Sequence, residues 1–288
     1  MIRLIIVGTI GAIVFWLVAL LTVWRLQERV VFQPPGRVAA SSVSARQVRY
    51  RSADGVDLFA YIVGDCGPTT PVLLAFHGNA DISRWLVPWA GSVVRETGAC
   101  VVLPEYRGYD GLTGAPTYAG SSMDARAALE YVRDTMHVAP EQLSYFGHSL
   151  GTAIAAELAA FAPPKTLILQ APFSSALAMG RRMFVPGVGL FWRFVSRVHF
   201  DTIERVRASV APVWVAHGDN DFVIPVRMGR EVFAAAAHKG ELLIVHGAGH
   251  NDLVEIGGRD YWHWLARAVT GAHDSSTPAV PAGTRSAP

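Results

Sequence analysis

Apolar residues in this chain come in two kinds of run. The first is one long block from Ile5 to Trp24 without a single charge, closed by Arg3 on one side and by Arg25, Glu28 and Arg29 on the other. Wound as a helix it reaches about 30 Å, the hydrocarbon thickness of a bilayer. Trp24 stands at its edge, where an indole N–H finds partners among headgroups. The run is too long for a signal-peptide core and leads into W-R-L-Q-E-R, not into a small-residue cleavage site. It predicts an uncleaved transmembrane anchor over residues 4–25. Flanking charge, Arg3 and the terminal amine against Arg25, Arg29 and Arg37, leans weakly towards a cytoplasmic catalytic domain, although long domains override such a bias.

The second kind is short and alternates with helical spacing. Residues 72–76, 99–103, 143–146, 166–169, 213–216 and 241–245 are each too short for a helix and read as buried parallel strands. Between them, 122–135, 152–162, 226–237 and 253–269 carry helical periodicity. Segments 47–51 and 58–63 flank A-D-G-V-D as an antiparallel hairpin on one edge. This alternation predicts an α/β fold with a mostly parallel sheet of about eight strands covered by helices on both faces. Residues 26–270 read as one domain, with 171–212 too long for a simple connection and so a small lid insertion. The Pro- and Ser-rich stretch 271–288 reads as a disordered tail.

Composition narrows the function. With 288 residues, 51% apolar and 17% charged, the chain has ample material for a large core. A net charge of +2 with no basic block excludes a phosphate-neutralising footprint, so no nucleic-acid partner is expected.

Candidate chemistry centres on Gly147-His148-Ser149-Leu150-Gly151, set between a strand and an alanine-rich helix. A serine on so abrupt a strand-to-helix turn is thrust out in a strained backbone, and the flanking glycines remove Cβ atoms that would collide there. Ser149 needs a base, because a hydroxyl is barely nucleophilic near neutral pH. His250, in G-A-G-H-N-D after the last strand, is preferred over His246, and Asp221 is preferred over Asp219 as the carboxylate that orients it. Asp252 is assigned to capping the last helix. The backbone N–H groups of Leu150 and Asn79 are the candidate oxyanion donors, with Gly78 and Ala80 one peptide from Asn79.

F-H-G-N-A, P-E-Y-R-G-Y-D-G, G-H-S-L-G, A-P-F-S-S, H-G-D-N-D-F-V-I-P and G-A-G-H-N-D run in order from Phe76 to Asp252. In these motifs the chain resembles the alpha/beta-hydrolase family, and within it the membrane-anchored, small-lid serine hydrolases of the abhydrolase-domain type. The resemblance puts Ser149, Asp221 and His250 on the triad positions and Asn79 and Leu150 on the oxyanion positions. It implies no cofactor. Asp110 replaces the glycine usual in Y-R-G-Y-G-G, which questions the shape of that loop.

Three alternatives compete. A metal site built from His77, His148, His217, His246 and His250 lacks an H-E-x-x-H or cysteine-rich ligand set. Peptide or amide hydrolysis uses the same nucleophile as ester or thioester cleavage. A non-catalytic binding module keeps the fold without turnover. The anchor and the greasy lid favour a small-molecule substrate with a hydrophobic acyl group, lipids included, with Met183, Phe184, Phe191 and Trp192 as candidate pocket residues. In the resembled fold Cys66 and Cys100 sit on neighbouring antiparallel strands; two free thiols are the first expectation, and a bridge would imply an oxidising compartment.

Overall fold

The computed structural model describes residues 2–36, 43–183 and 196–271. Its centre is a set of strands that bury almost every side chain, because helices cover both faces. These are β3 (Val72–Phe76), β4 (Cys100–Pro104), β5 (Leu143–His148), β6 (Leu167–Gln170) and β7 (Val213–Gly218). With β1 (Arg46–Arg51), β2 (Asp57–Val63) and β8 (Lys239–Val245) they form an eight-stranded sheet in the order β1-β2-β4-β3-β5-β6-β7-β8. β2 alone runs against the rest, pairing antiparallel with β1 and β4, and the five other pairings are parallel. The expected α/β architecture and its edge hairpin are therefore present.

Alternation along each strand feeds two cores. Val72, Leu74 and Phe76 of β3 belong to one core with residues of helices α3 (Tyr118–Glu130), α4 (Leu150–Phe161), α6 (Thr202–Ala208) and α7 (Val226–Ala235). Leu73 and Ala75 face the other way, towards α2 (Val87–Thr97) and α8 (Leu253–Thr270). Among the described residues the remaining α-helices are α1 (Ile2–Val31) and α5 (Ala176–Met183).

Three departures from the sequence reading have local causes. Helix α2 lies outside the stretches of helical periodicity given above, and Pro88 in its first turn and Gly98 beyond its end, at φ +72°, are its start and stop signals. Helix α3 begins earlier than expected because Thr117 caps it, accepting the Gly120 N–H at 2.9 Å, and its last turn is a π-helix over Tyr131–Thr135. Helix α1 does not stop at Trp24 but runs on through Arg25, Glu28 and Arg29 to Val31.

Cys66 and Cys100 are joined in a disulfide with Cα atoms 5.1 Å apart, which overturns the expectation of two free thiols. The antiparallel register Val63↔Val101 brings the chain leaving β2 past the start of β4. The bridge thus lies at the end of the sheet opposite the turn that carries Ser149.

Candidate active site

Ser149 occupies the turn between β5 and α4 with φ +52° and ψ −116°, a conformation that costs a non-glycine residue on the order of 1–3 kcal/mol. The surroundings leave no room for relaxation. A Cβ on Gly147 would lie 2.3 Å from the Gly151 carbonyl oxygen, and one on Gly151 would lie 2.2 Å from that of Phe76. Both glycines are thus required by close packing of backbone against backbone.

His250 comes from the loop after β8. Its Nε2 is 3.0 Å from Ser149 Oγ, and its Nδ1 is 2.7 Å from Asp221 Oδ2. Because a carboxylate only accepts, Nδ1 carries the proton and Nε2 is left as an acceptor facing the hydroxyl. Asp221 follows β7 and is buried; its Oδ1 accepts the N–H groups of Val223 and Ile224, each at 2.8 Å. Burial pushes its pKa up, but hydrogen bonds from His217, His250 and the Ile224 amide prevail and hold the carboxyl well below the usual carboxylate range.

The two reserve residues find each other instead. Asp219 accepts from exposed His246 Nδ1 at 2.7 Å and from the Gly247 N–H at 2.7 Å. Asp252 does not cap α8 with its side chain; its Oδ1 accepts the Gly249 N–H at 2.6 Å and so braces the loop just before His250.

Asn79 and Leu150 border the same cavity as Ser149. The Asn79 side chain is held on two sides, with Oδ1 accepting the Tyr109 hydroxyl at 3.0 Å and the Gln33 N–H at 2.8 Å. The preceding His77 is buried, with Nε2 2.8 Å from Glu105 and Nδ1 2.8 Å from the Gly78 carbonyl. Burial pushes its pKa down, yet the adjacent Glu105 carboxylate outweighs this and raises it. Glu105 also accepts the N–H groups of Ser83 and Tyr106. Reading the sequence missed this brace and the role of His217, whose Nε2 lies 2.8 Å from the Ile224 carbonyl and 3.3 Å from Asp221. The signal available was a charged residue inside an apolar strand context, P-E-Y, and a histidine ending β7.

Asp110 keeps the loop shape that a glycine would give: it adopts φ +43°, a region aspartate tolerates better than most residues, and Arg84 grips both its oxygens at 2.7 Å. Arg107 in the same motif is tied to Asp124 and Asp54. His148 is the remaining strand-end imidazole. Its Nε2 lies 3.3 Å from the His250 carbonyl, and burial, reinforced by nearby His250, lowers its pKa to about 4.

Two cavities meet at Ser149. One of about 400 Å³ is lined by Leu150, Phe173, Met179, Phe200 and the end of α1, a size and character typical of small-ligand pockets. The other, about 610 Å³, is more polar and bordered by His148, Gln170, His250 and Trp89. Of the candidate pocket residues, Met183 ends α5 but its side chain is not described, while Phe184, Phe191 and Trp192 lie outside the described residues, as do 272–288 of the expected tail.

Comparison with known proteins agrees with this architecture. A family described as alpha/beta hydrolase fold matches residues 71–195. An uncharacterised protein of Mycobacterium tuberculosis is 34% identical over 256 residues, covering 86% of this chain and 89% of that one. Alpha/beta hydrolase domain-containing protein 17B of Xenopus tropicalis is 31% identical over 71% of this chain and 68% of its own length. Lysophosphatidylserine lipase ABHD12 of Danio rerio is 28% identical over 60% of this chain and 49% of its own. Among solved structures, a Pyrococcus furiosus esterase superposes with a TM-score of 0.67 at 17% identity, over 83% of this chain and 98% of that one.

Proposed function

The chain belongs to the alpha/beta-hydrolase family, and from that premise we propose that it is a serine hydrolase that cleaves carboxylic esters or thioesters of hydrophobic acyl groups. The observation that carries the reading is the hydrogen-bonded line Asp221–His250–Ser149, 2.7 Å and 3.0 Å long. His250 Nε2 takes the Ser149 proton as Oγ adds to the acyl carbonyl. The oxyanion that forms is met by the N–H groups of Leu150 and Asn79, at the start of α4 where the helix dipole is favourable. Collapse passes the proton from His250 to the leaving oxygen or sulfur and leaves an acyl group on Ser149. Water, activated by the same imidazole, then releases the acid.

The apolar cavity suits the acyl group and the polar one the leaving group. The described parts of the expected lid, α5 and α6, stand on the acyl side in this reading, and residues 184–195 of that stretch lie outside the described residues. A lipase and an esterase among the similar proteins support the ester class. Helix α1, whose Ile5–Val31 segment is long and apolar enough to cross a membrane, is the anchor. The Cys66–Cys100 bridge favours a catalytic domain in an oxidising compartment over the orientation suggested by flanking arginines.

Fluorophosphonate labelling and hydrolysis of p-nitrophenyl esters test the proposal. Labelling is expected at Ser149, and Ser149→Ala abolishes it while lowering kcat by roughly 10⁵–10⁶. Folded protein that takes no label is a binding module, and faster cleavage of the matched anilide marks an amidase.

A further inference from the structure

The apolar cavity at Ser149 has one wall that the sheet and its helices do not supply. Half-buried Val30 and Val31 of α1 stand on it, and exposed Leu26 and Thr22 continue the lining outward. Positions 22, 26 and 30 are spaced four apart and therefore share one stripe of the helix. Facing them are Phe173, Met179 and Phe200.

This end of α1 is fixed to the catalytic domain. Gln27 Oε1 accepts the Arg197 N–H at 2.6 Å, and Glu28 pairs with the Arg197 guanidinium at 3.1 Å and accepts the Tyr118 N–H at 3.3 Å. Phe32 is buried with its ring 6.2 Å from that of Phe200. One residue later, the Gln33 N–H reaches Asn79 in the loop beside Ser149. The same helix upstream is exposed and apolar along the candidate membrane span. A continuous apolar surface thus leads from the span to the candidate nucleophile.

We propose that α1 is a substrate-binding element as well as an anchor: one acyl chain of a bilayer lipid ester enters along the Thr22–Leu26–Val30 stripe and lies between α1 and Met179, with its carbonyl at Ser149. This rests on the serine-hydrolase reading above. Such a path spares the chain an excursion through water, where every exposed methylene is unfavourable. Val30 and Leu26 then limit how long a chain the site accepts.

The full chain in phosphatidylcholine vesicles provides the test, with p-nitrophenyl palmitate and butyrate as substrates and fluorophosphonate labelling of Ser149 as the measure of folding. Val30→Trp and Leu26→Trp are expected to lower the palmitate-to-butyrate ratio of kcat/KM by roughly tenfold or more. Leu21→Trp, nine residues before Val30 and so on the opposite side of the helix, keeps the ratio within about twofold. An unmodified chain labelled by a long alkyl fluorophosphonate with a terminal diazirine is expected to crosslink within residues 22–31. That measurement needs no variant. An unaltered ratio in labelled Val30→Trp and Leu26→Trp, or crosslinks confined to other elements, overturns the proposal and leaves the hydrolase reading standing. An unmodified chain that takes no label and cleaves neither ester overturns the hydrolase reading itself.

Discussion

The backbone N–H of Gln33 meets the side-chain carbonyl of Asn79 at 2.8 Å, across 46 positions of sequence. Residue 33 is the second after α1, and Asn79 belongs to the loop that borders Ser149. The helix end and the candidate oxyanion loop are therefore held at one atom, Asn79 Oδ1, which also accepts from buried Tyr109.

Removing that acceptor should act on the transition state more than on binding. Asn79→Ala leaves the Tyr109 hydroxyl without its partner, at a stability cost of about 1–2 kcal/mol, and loosens the adjacent N–H. We expect kcat on p-nitrophenyl butyrate to fall roughly 10- to 100-fold with KM little changed. Tyr109→Phe, which removes one donor only, should fall less. Equal effects on kcat and KM would point to general disruption instead.

The two aspartates after β7 are separated by function in this reading. Asp221→Asn should lower kcat by roughly 10³–10⁴, because the amide cannot hold His250 in the required tautomer. Asp219→Asn, which disturbs only the pair with exposed His246, should stay within about threefold. A loss of comparable size in both variants would refute the assignment of Asp221.

Acid should destabilise the fold through His148. The unfolded chain binds a proton there near pH 6.5, whereas the folded chain does so only near 4, so between these values the unfolded state takes up more protons and stability falls as pH drops. The loss on going from 6.5 to 4 is on the order of 2–3 kcal/mol. Urea midpoints for the unmodified chain and His148→Gln should converge towards acid pH. Parallel curves would show that His148 titrates normally.

Buried His77 works in the opposite sense. Its pKa is raised in the fold by Glu105, so the pair's contribution is complete below about 6.5 and is lost as pH rises through the folded value. His77→Gln should therefore destabilise most in mild acid and progressively less towards alkaline pH, measured by the same urea midpoints. A deficit independent of pH would mean that the imidazole contributes packing alone.

Cys66 and Cys100 should resist maleimide until a reductant is added, both in the purified chain and in intact cells. Closing a loop of sequence separation 34 restricts the unfolded chain by ~3–4 kcal/mol, which reduction should remove. Labelling of both thiols by a membrane-permeant maleimide in intact cells without reductant would place the domain in a reducing compartment.

Much of this molecule was legible in its sequence. Short apolar runs between helical patterns specified the parallel sheet, because a strand covered on both faces has no polar positions to spare. The glycines around Ser149 announced a turn that admits no Cβ, and the uncharged run from Ile5 announced a helix of membrane length. These are properties of near neighbours: backbone sterics, side-chain period and the width of a bilayer.

Pairings over long separations were decided elsewhere. Ser149 and His250 are 101 positions apart and Asp221 and His250 are 29 apart, so which histidine and which aspartate meet depends on how β5, β7 and β8 stack in one sheet. Asp219 and Asp221 look alike as letters, and only the inward turn that offers the Val223 and Ile224 amides separates them. The disulfide required the β2–β4 register, and the outer wall of the apolar cavity at Ser149 required α1 to continue past its apolar run and dock beside Met179 and Phe200. Local sterics and periodicity fix elements one at a time, whereas a site assembled from several elements is fixed by the packing of the whole chain.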